Sequence, residues 1–325
     1  MNCKPWLTGG FILFALATLA ACGGGGGGDS SAAAPPPDTS ASNNVAGFAY
    51  VTNSWGSDVS GYTINASTGE LSKVAGSPFA TGTSPWSIAV TPSGKFAYVA
   101  NIDSDNVSAY AINTNTGALT SIGAPVASGG RPGFVTVHPS GKFAYVVNFS
   151  SWDVWAYTID ATTGTLTNTG SLAAGIGPNS VAVDPSGKFA YVTGSSGVSA
   201  YIIDATTGAL AGIGSIVAGH MPYSVTVDPS GKFVYVANLG GNSVSAYTID
   251  TASGALTSIG TFPTGTSPFF VAVDPSGKFA YVTNGDSSNI SIYTVNATTG
   301  ALTTIGAALA AGTHPYSITT TRKIQ

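Results

Sequence analysis

The sequence predicts an all-β fold, a six-bladed β-propeller of four-stranded blades. Two observations predict it. A short motif recurs six times with a period of roughly 46 residues, in the range of a four-stranded propeller blade. Every unit also holds four short runs rich in aromatic and β-branched residues, separated by Gly, Pro, Asp and Asn. The motif is Tyr50-Val51-Thr52-Asn53, then Tyr98-Val99-Ala100-Asn101, Tyr145-Val146-Val147-Asn148, Tyr191-Val192-Thr193-Gly194, Tyr235-Val236-Ala237-Asn238 and Tyr281-Val282-Thr283-Asn284.

One unit shows the expected strands in order. Ser224 to Val227 is strand A, Phe233 to Ala237 strand B, Val244 to Ile249 strand C and Leu256 to Ile259 strand D. Strands A and B are joined by Asp228 to Lys232, which recurs as Asp184 to Lys188 and Asp274 to Lys278, with variants at Thr91 to Lys95 and His138 to Lys142. Pro presets φ for a type I turn there, and Gly takes the left-handed position that follows. Thr163-Gly164, Thr207-Gly208 and Thr299-Gly300 serve the C–D turns. The chain enters at a strand B, Phe48 to Val51, and leaves after a lone strand A, Tyr316 to Thr320. The first blade is therefore expected to take its innermost strand from the C-terminus, so that no ring edge stays unpaired.

Composition narrows the function. Only 7% of the 325 residues are charged, against about a quarter in typical domains. The chain is 43% hydrophobic, which excludes a disordered polyelectrolyte. A net charge of −4 argues against a nucleic-acid partner, which needs a basic stripe.

The first residues read as a targeting segment. Lys4 gives a positive start, and Phe11 to Ala21 is an apolar run too short to span a bilayer as a mature helix. It ends in Leu19-Ala20-Ala21-Cys22. This resembles the lipobox of bacterial lipoproteins, in which small residues fit the signal peptidase and the Cys thiol receives a diacylglyceryl group. The resemblance implies a signal peptide over 1–21, lipidation at Cys22 and anchoring to the membrane of a bacterial cell envelope. Gly23 after the Cys implies the outer membrane, where there is one. The alternative is a plain secretory signal with a chance Cys. Residues 22–44 form a Gly/Pro/Ser-rich tether without apolar periodicity, and 45–325 the propeller. Cys3 and Cys22 are the two cysteines, so the propeller has no disulfide, thiolate metal site or thiol nucleophile. No cofactor motif is present, and none is expected.

The Tyr-Val-Thr-Asn pattern with Asp-Pro-Ser-Gly-Lys resembles the YVTN-repeat β-propellers, related to the lactonase-like superfamily. The resemblance covers nearly all of the chain after the tether. One branch of that superfamily contains 6-phosphogluconolactonases, built with seven blades. Others are surface-layer or extracellular proteins with no known catalysis. A count of six departs from the lactonase pattern.

Strand direction places the D–A and B–C loops on one face, the channel mouth, and the Asp-Pro-Ser-Gly-Lys turns on the other. The D–A loops share a Pro before strand A: Pro85, Pro132, Pro178, Pro222, Pro268 and Pro315. Around them sit Trp86, Arg131, Phe134, Asn179, His220, Tyr223, Phe269, His314 and Tyr316. This ring could grip a sugar or peptide. Equally, its aromatics could only plug the channel and pack neighbouring blades. The domain aspartates outside the repeat turns, Asp58, Asp103, Asp105, Asp153 and Asp286, all fall in B–C loops and make the outer mouth acidic. A catalytic reading rests on His220, His314 and Arg131, with no carboxylate in the inner loops to orient either His. A phosphosugar would need several cations, and the mouth offers Arg131. Asp103 and Asp105 have hard oxygens at alternate positions and are a lesser calcium option. The leading expectation is a binding or scaffold module with an envelope protein, peptide or glycan ligand. The alternative is a lactonase-like hydrolase acting on an extracytoplasmic lactone.

Overall fold

The computed structural model describes residues 45–195 and 197–318. The expected leader, Cys22 and the expected tether lie outside the described residues, as do Thr319 and Thr320 of the expected closing strand.

The strands form six separate antiparallel sheets, one per repeat, arranged as the blades of a propeller. Among the described residues there is no α-helix, and one 3-10 turn at Leu239–Gly241. Blade five shows the plan: Pro222–Val227, Phe233–Asn238, Ser243–Ile249 and Leu256–Pro263, paired in that order. Strand D runs four residues past its expected end. Gly260, at φ 149°, takes up a register shift opposite Ala246 and Tyr247 and lets the strand continue. In blades one, two and six strand D is instead broken in two, as in Leu71–Lys73 and Phe79–Ala80.

The A–B turns work as their sequence suggests. Asp228 Oδ1 accepts the Lys232 and Phe233 amides at 2.8 Å, and its Oδ2 accepts the Ser230 amide at 2.9 Å. The motif Asn staples strand B to strand C: Asn101 Nδ2 donates to Asn106 Oδ1 at 2.8 Å and Ser108 Oγ at 2.9 Å.

Five apolar clusters fill the five seams from blade one to blade six. Each seam repeats one contact. The hydroxyls of Tyr50, Tyr98, Tyr145, Tyr191 and Tyr235 donate to the carbonyls of Gly117, Gly164, Gly208, Gly254 and Gly300 on the next blade, at 2.8–3.0 Å. The C–D turn must present a Gly there for two reasons. Gly164 has φ 74°, and a Cβ on it would run into the Phe96 ring. Burial pushes the Tyr50 phenol up to about 12 and raises Tyr98 and Tyr145 further.

The junction of blade six with blade one differs. Tyr281 makes no such bond among the described residues, and the space over Gly69 is open. Phe279 is 37% exposed, while its counterparts Phe143, Phe189 and Phe233 are 2–3% exposed. Leu71 is 44% exposed against 7% for Leu119 and Leu166. Residues 315–318 form no strand, and Val45–Asn53 pairs on its outer side alone, with Asp58–Asn65. Closure of blade one by the C-terminal strand is thus not seen in the described residues.

Candidate functional site

The D–A and B–C loops do share one face. The Ser84, Arg131, Met221 and Ser267 carbonyls of four D–A loops accept the Ile102, Phe149, Leu239 and Gly285 amides of the B–C loops at 2.8–3.1 Å. To aim those carbonyls, the residue before each Pro turns left-handed: Ser84, Arg131, Met221, Ser267 and His314 have φ of 51–57°. Gly177 does the same in the remaining loop. Left-handed backbone costs a non-Gly residue about 1–2 kcal/mol, and such strain concentrates at functional surfaces.

In four of the loops the residue after the Pro is aromatic and faces the axis. Trp86, Tyr223, Phe269 and Tyr316 meet there as a plug. Phe269 stacks on Tyr316 with ring centroids 4.5 Å apart. Tyr223 meets Phe269 edge-on at 5.5 Å, and Trp86 meets Tyr316 at 5.9 Å. The Tyr223 and Tyr316 hydroxyls are hydrogen-bonded to each other. Burial raises the Tyr223 pKa, and a hydrogen bond with Trp86 opposes part of that. The rings spend their faces on one another. The cavity left, lined also by Phe134 and Asn179, is about 70 Å³. Ligand pockets are about 300–1,000 Å³, so this one has no room for a sugar. Asn179 Nδ2 donates to the Pro222 carbonyl at 3.2 Å, a contact between blades. The rings that the sequence offers as ligand contacts are thus in contact with one another at the axis.

The charged candidates lie outside the plug and do not converge. Arg131 Nη2 is 4.0 Å from Asp103 Oδ1, with both side chains about half exposed, a pair worth little in water. The Arg131 amide donates to Asp105 Oδ1 at 2.7 Å, so Asp105 serves the loop. No group of three or more His, Cys, Asp or Glu able to hold a metal occurs among the described residues. His220 lies exposed against Gly240. His314 has a partner that sequence reading missed. Its Nε2 is 3.5 Å from Asp286 Oδ1, and Ser267 Oγ donates to Asp286 Oδ2 at 2.5 Å. The carboxylate comes from a B–C loop of the preceding blade, not from an inner loop. His220 and His314 belong to loops two blades apart. His138 is structural: its ring nitrogens face Ser140 Oγ and the Gly187 carbonyl, each at 2.7 Å.

The exposed aromatic surface stands on the B–C loops instead. Trp55 is 75% exposed and Trp152 49% exposed, with Phe149 beside it and Ile176 and Met221 on nearby D–A loops. The loop carrying Phe149 and Trp152 is held by hydrogen bonds. The Ser150 amide donates to the Gly130 carbonyl at 2.9 Å, the Trp152 amide to the Asn148 carbonyl at 3.0 Å, and Ser151 Oγ to Asp153 Oδ1 at 2.7 Å. A signal for these residues existed. Ser54-Trp55-Gly56 and Ser151-Trp152-Asp153 put a Trp in a turn where other repeats have small or polar residues.

A family model described as lactonase, seven-bladed β-propeller, matches residues 40–137 and 131–318. Among solved structures, the chain is similar to a putative 6-phosphogluconolactonase from Bacteroides uniformis, with TM-score 0.71, 21% identity and 80% of each chain covered. It is similar to the Pseudomonas aeruginosa periplasmic gluconolactonase PpgL, with TM-score 0.68, 19% identity, and 82% of this chain and 84% of that one covered. It is also similar to a functionally unknown Desulfotomaculum acetoxidans protein, with TM-score 0.69, 20% identity and 83% of each covered. No curated protein matches the chain. These likenesses carry the fold, and the family match spans nearly all of the described residues: the chain belongs to the lactonase family of β-propellers, here with six blades.

Proposed function

We propose that this chain is a binding module displayed on the cell envelope, tethered through a lipid on Cys22, and that it holds a glycan or peptide on its mouth loops. One observation carries the reading. The channel is closed by its own aromatics, while Trp55, Phe149 and Trp152 stand exposed on the loops around it. Rigid, exposed aromatic side chains give large contact area at low ordering cost. The test is binding of the full chain to an array of envelope glycans and peptides. A Trp55→Ala, Trp152→Ala double variant should bind at least roughly tenfold more weakly, the loss of about 1.4 kcal/mol. Unchanged binding by that variant would place the ligand elsewhere.

A second reading is a lactone hydrolase. Family membership and the His314–Asp286 pair favour it, since a carboxylate can orient an imidazole that activates water. Against it stands the exposure of that pair.

A further inference from the structure

The mouth face departs from the repeat over blade four. There the second and third strands, Phe189–Gly194 and Gly197–Ile203, are joined by two residues, whereas the matching strands of the five other blades are joined by four, as between Asn101 and Asn106. The wall of loops is lower at that point. Gly194 also stands where the other repeats have Asn, so no side chain staples the turn. The neighbouring D–A loop settles over it instead. The Ser195 amide donates to the Ile176 carbonyl at 2.9 Å, and a Cβ on Gly194 would lie 3.3 Å from that oxygen. The Ile176 side chain is left outside, 61% exposed, where the matching positions carry Thr83, Gly130, His220 and Thr266.

The two flanks of this notch are apolar. On the blade-three side Trp152 holds a left-handed backbone, φ 58°, which is an outlier for so bulky a residue. Asp105 and Asn242 occupy the same place in blades two and five. Each accepts the amide of the next D–A loop, Arg131 at 2.7 Å and Ser267 at 2.9 Å. Trp152 has no oxygen to offer the Gly177 amide. Phe149 closes on the same glycine, where a Cβ would lie 3.9 Å from its ring. On the far side, Met221 holds the position from which Arg131 and His314 face Asp103 and Asp286 of the preceding blade. The short turn of blade four carries no carboxylate, and the Met221 side chain stands exposed. Val217 lies exposed at the outer end, beside Gly197.

Exposed apolar side chains gathered in this way mark a contact surface. We propose that the notch over blade four is a groove for an extended, uncharged peptide segment, a site that rests on the binding-module reading and names its ligand class. An ionic ligand finds no free counter-charge on the blade-three flank. Asp153 is spent within its own loop: its Oδ1 accepts Asn148 Nδ2 at 2.9 Å and Ser151 Oγ at 2.7 Å, and its Oδ2 accepts Trp155 Nε1 at 3.0 Å. A sugar needs convergent polar side chains to fix its hydroxyls, and the flanks present Phe149, Trp152, Ile176 and Met221. An extended chain needs main-chain partners and room for alternate apolar side chains. Gly177 offers the amide that Trp152 leaves uncapped, and the exposed His220 imidazole beside Met221 can take a second main-chain group. An anionic lipid surface is opposed by Asp58, Asp103, Asp105 and Asp286 on the same face.

The test reads binding of the full chain to immobilised octapeptides in which apolar residues alternate with Ser and Thr, beside a second set with Lys or Glu at the alternate places. The uncharged set should hold the chain, and the charged set should hold it at least about tenfold more weakly. Ile176→Ser and Met221→Ser should each weaken binding about tenfold, and Leu309→Ser, at an exposed apolar position of blade six, should not. Amide exchange over 175–177 should slow with peptide bound, while exchange over 265–267 stays as it is. The proposal fails if the uncharged set does not bind, or if binding is indifferent to charge or to both notch variants. Retention on phosphatidylcholine vesicles with the peptides silent would overturn it in favour of a membrane contact. Glycan binding that is lost in Trp55→Ala, with the peptides silent, would remove the groove and leave the binding module standing. Silence toward glycans and peptides together would remove both.

Discussion

The Tyr98 hydroxyl, on strand B of blade two, donates to the Gly164 carbonyl on blade three at 2.9 Å, inside a seam where Tyr98 is fully buried. Replacing Tyr98 by Phe keeps the ring and leaves that carbonyl without its donor. An unsatisfied buried acceptor costs about 1–3 kcal/mol. Tyr98→Phe should lower the denaturant midpoint accordingly, with an unchanged m-value. Gly164→Ala should cost more, because it combines a positive φ with a clash against Phe96. Urea titration followed by tyrosine fluorescence reads both.

The seam tyrosines also set an alkaline limit. Tyr50 is pushed up to about 12, and burial raises Tyr98, Tyr145, Tyr191 and Tyr235 as well. A phenol is neutral when protonated, so a raised value means that the folded state holds its proton more tightly. The stability linked to this is present below the unfolded value near 10 and is lost as pH rises through the folded values. Thermal midpoints should fall steeply from about pH 10 upward. Tyr98→Phe should make that fall shallower.

The C–D turns set the acid side. Backbone hydrogen bonds from Thr163 and Thr162 hold the Asp160 carboxyl below its ordinary value, and those from Thr207 and Ser253 lead the same effect at Asp204 and Asp250. A lowered carboxylate contributes stability above its unfolded value near 4 and loses it as pH falls through the folded value. Asp204→Asn should therefore flatten the drop in thermal midpoint below about pH 4, read by circular dichroism. Its effect at neutral pH should be small, since these side chains are exposed.

The His314–Asp286 pair separates the two functional readings. For a binding module, hydrolysis of a panel of aldonolactones proceeds at the buffer rate, and His314→Ala and Asp286→Asn change nothing. A rate above buffer that falls in both variants would establish the hydrolase instead. Asp286→Asn is the sharper of the two, because it keeps an acceptor for Ser267 while removing the charge facing His314.

The blades were legible because each is specified locally. Tyr235-Val236-Ala237-Asn238 reports a strand whose alternate residues face two seams, and Asp228 to Lys232 reports a turn held by its own carboxylate. The mouth was less legible because its contacts join distant repeats. Tyr223, Phe269 and Tyr316 are alike in sequence as ring-bearing residues after Pro, whether they greet a ligand or stack on one another. Their separation across the axis decides it, at 4.5–5.8 Å. Asp286 reaches His314 only once two loops of different origin lie side by side. Trp55 and Trp152 are marked in the sequence by their place in turns, but the surface they form shows only in their exposure on the folded ring.

The Tyr-to-Gly contact asks of its neighbour nothing but a main-chain carbonyl and room for a ring. Any unit of this kind can therefore follow any other, as links in a chain can be taken out or added without recutting the rest. A family described by seven blades and a member with six are, in this light, the same grammar at two sentence lengths. What a change of length must renegotiate is the single place where the last unit meets the first, and that is where this molecule keeps its ring faces uncovered.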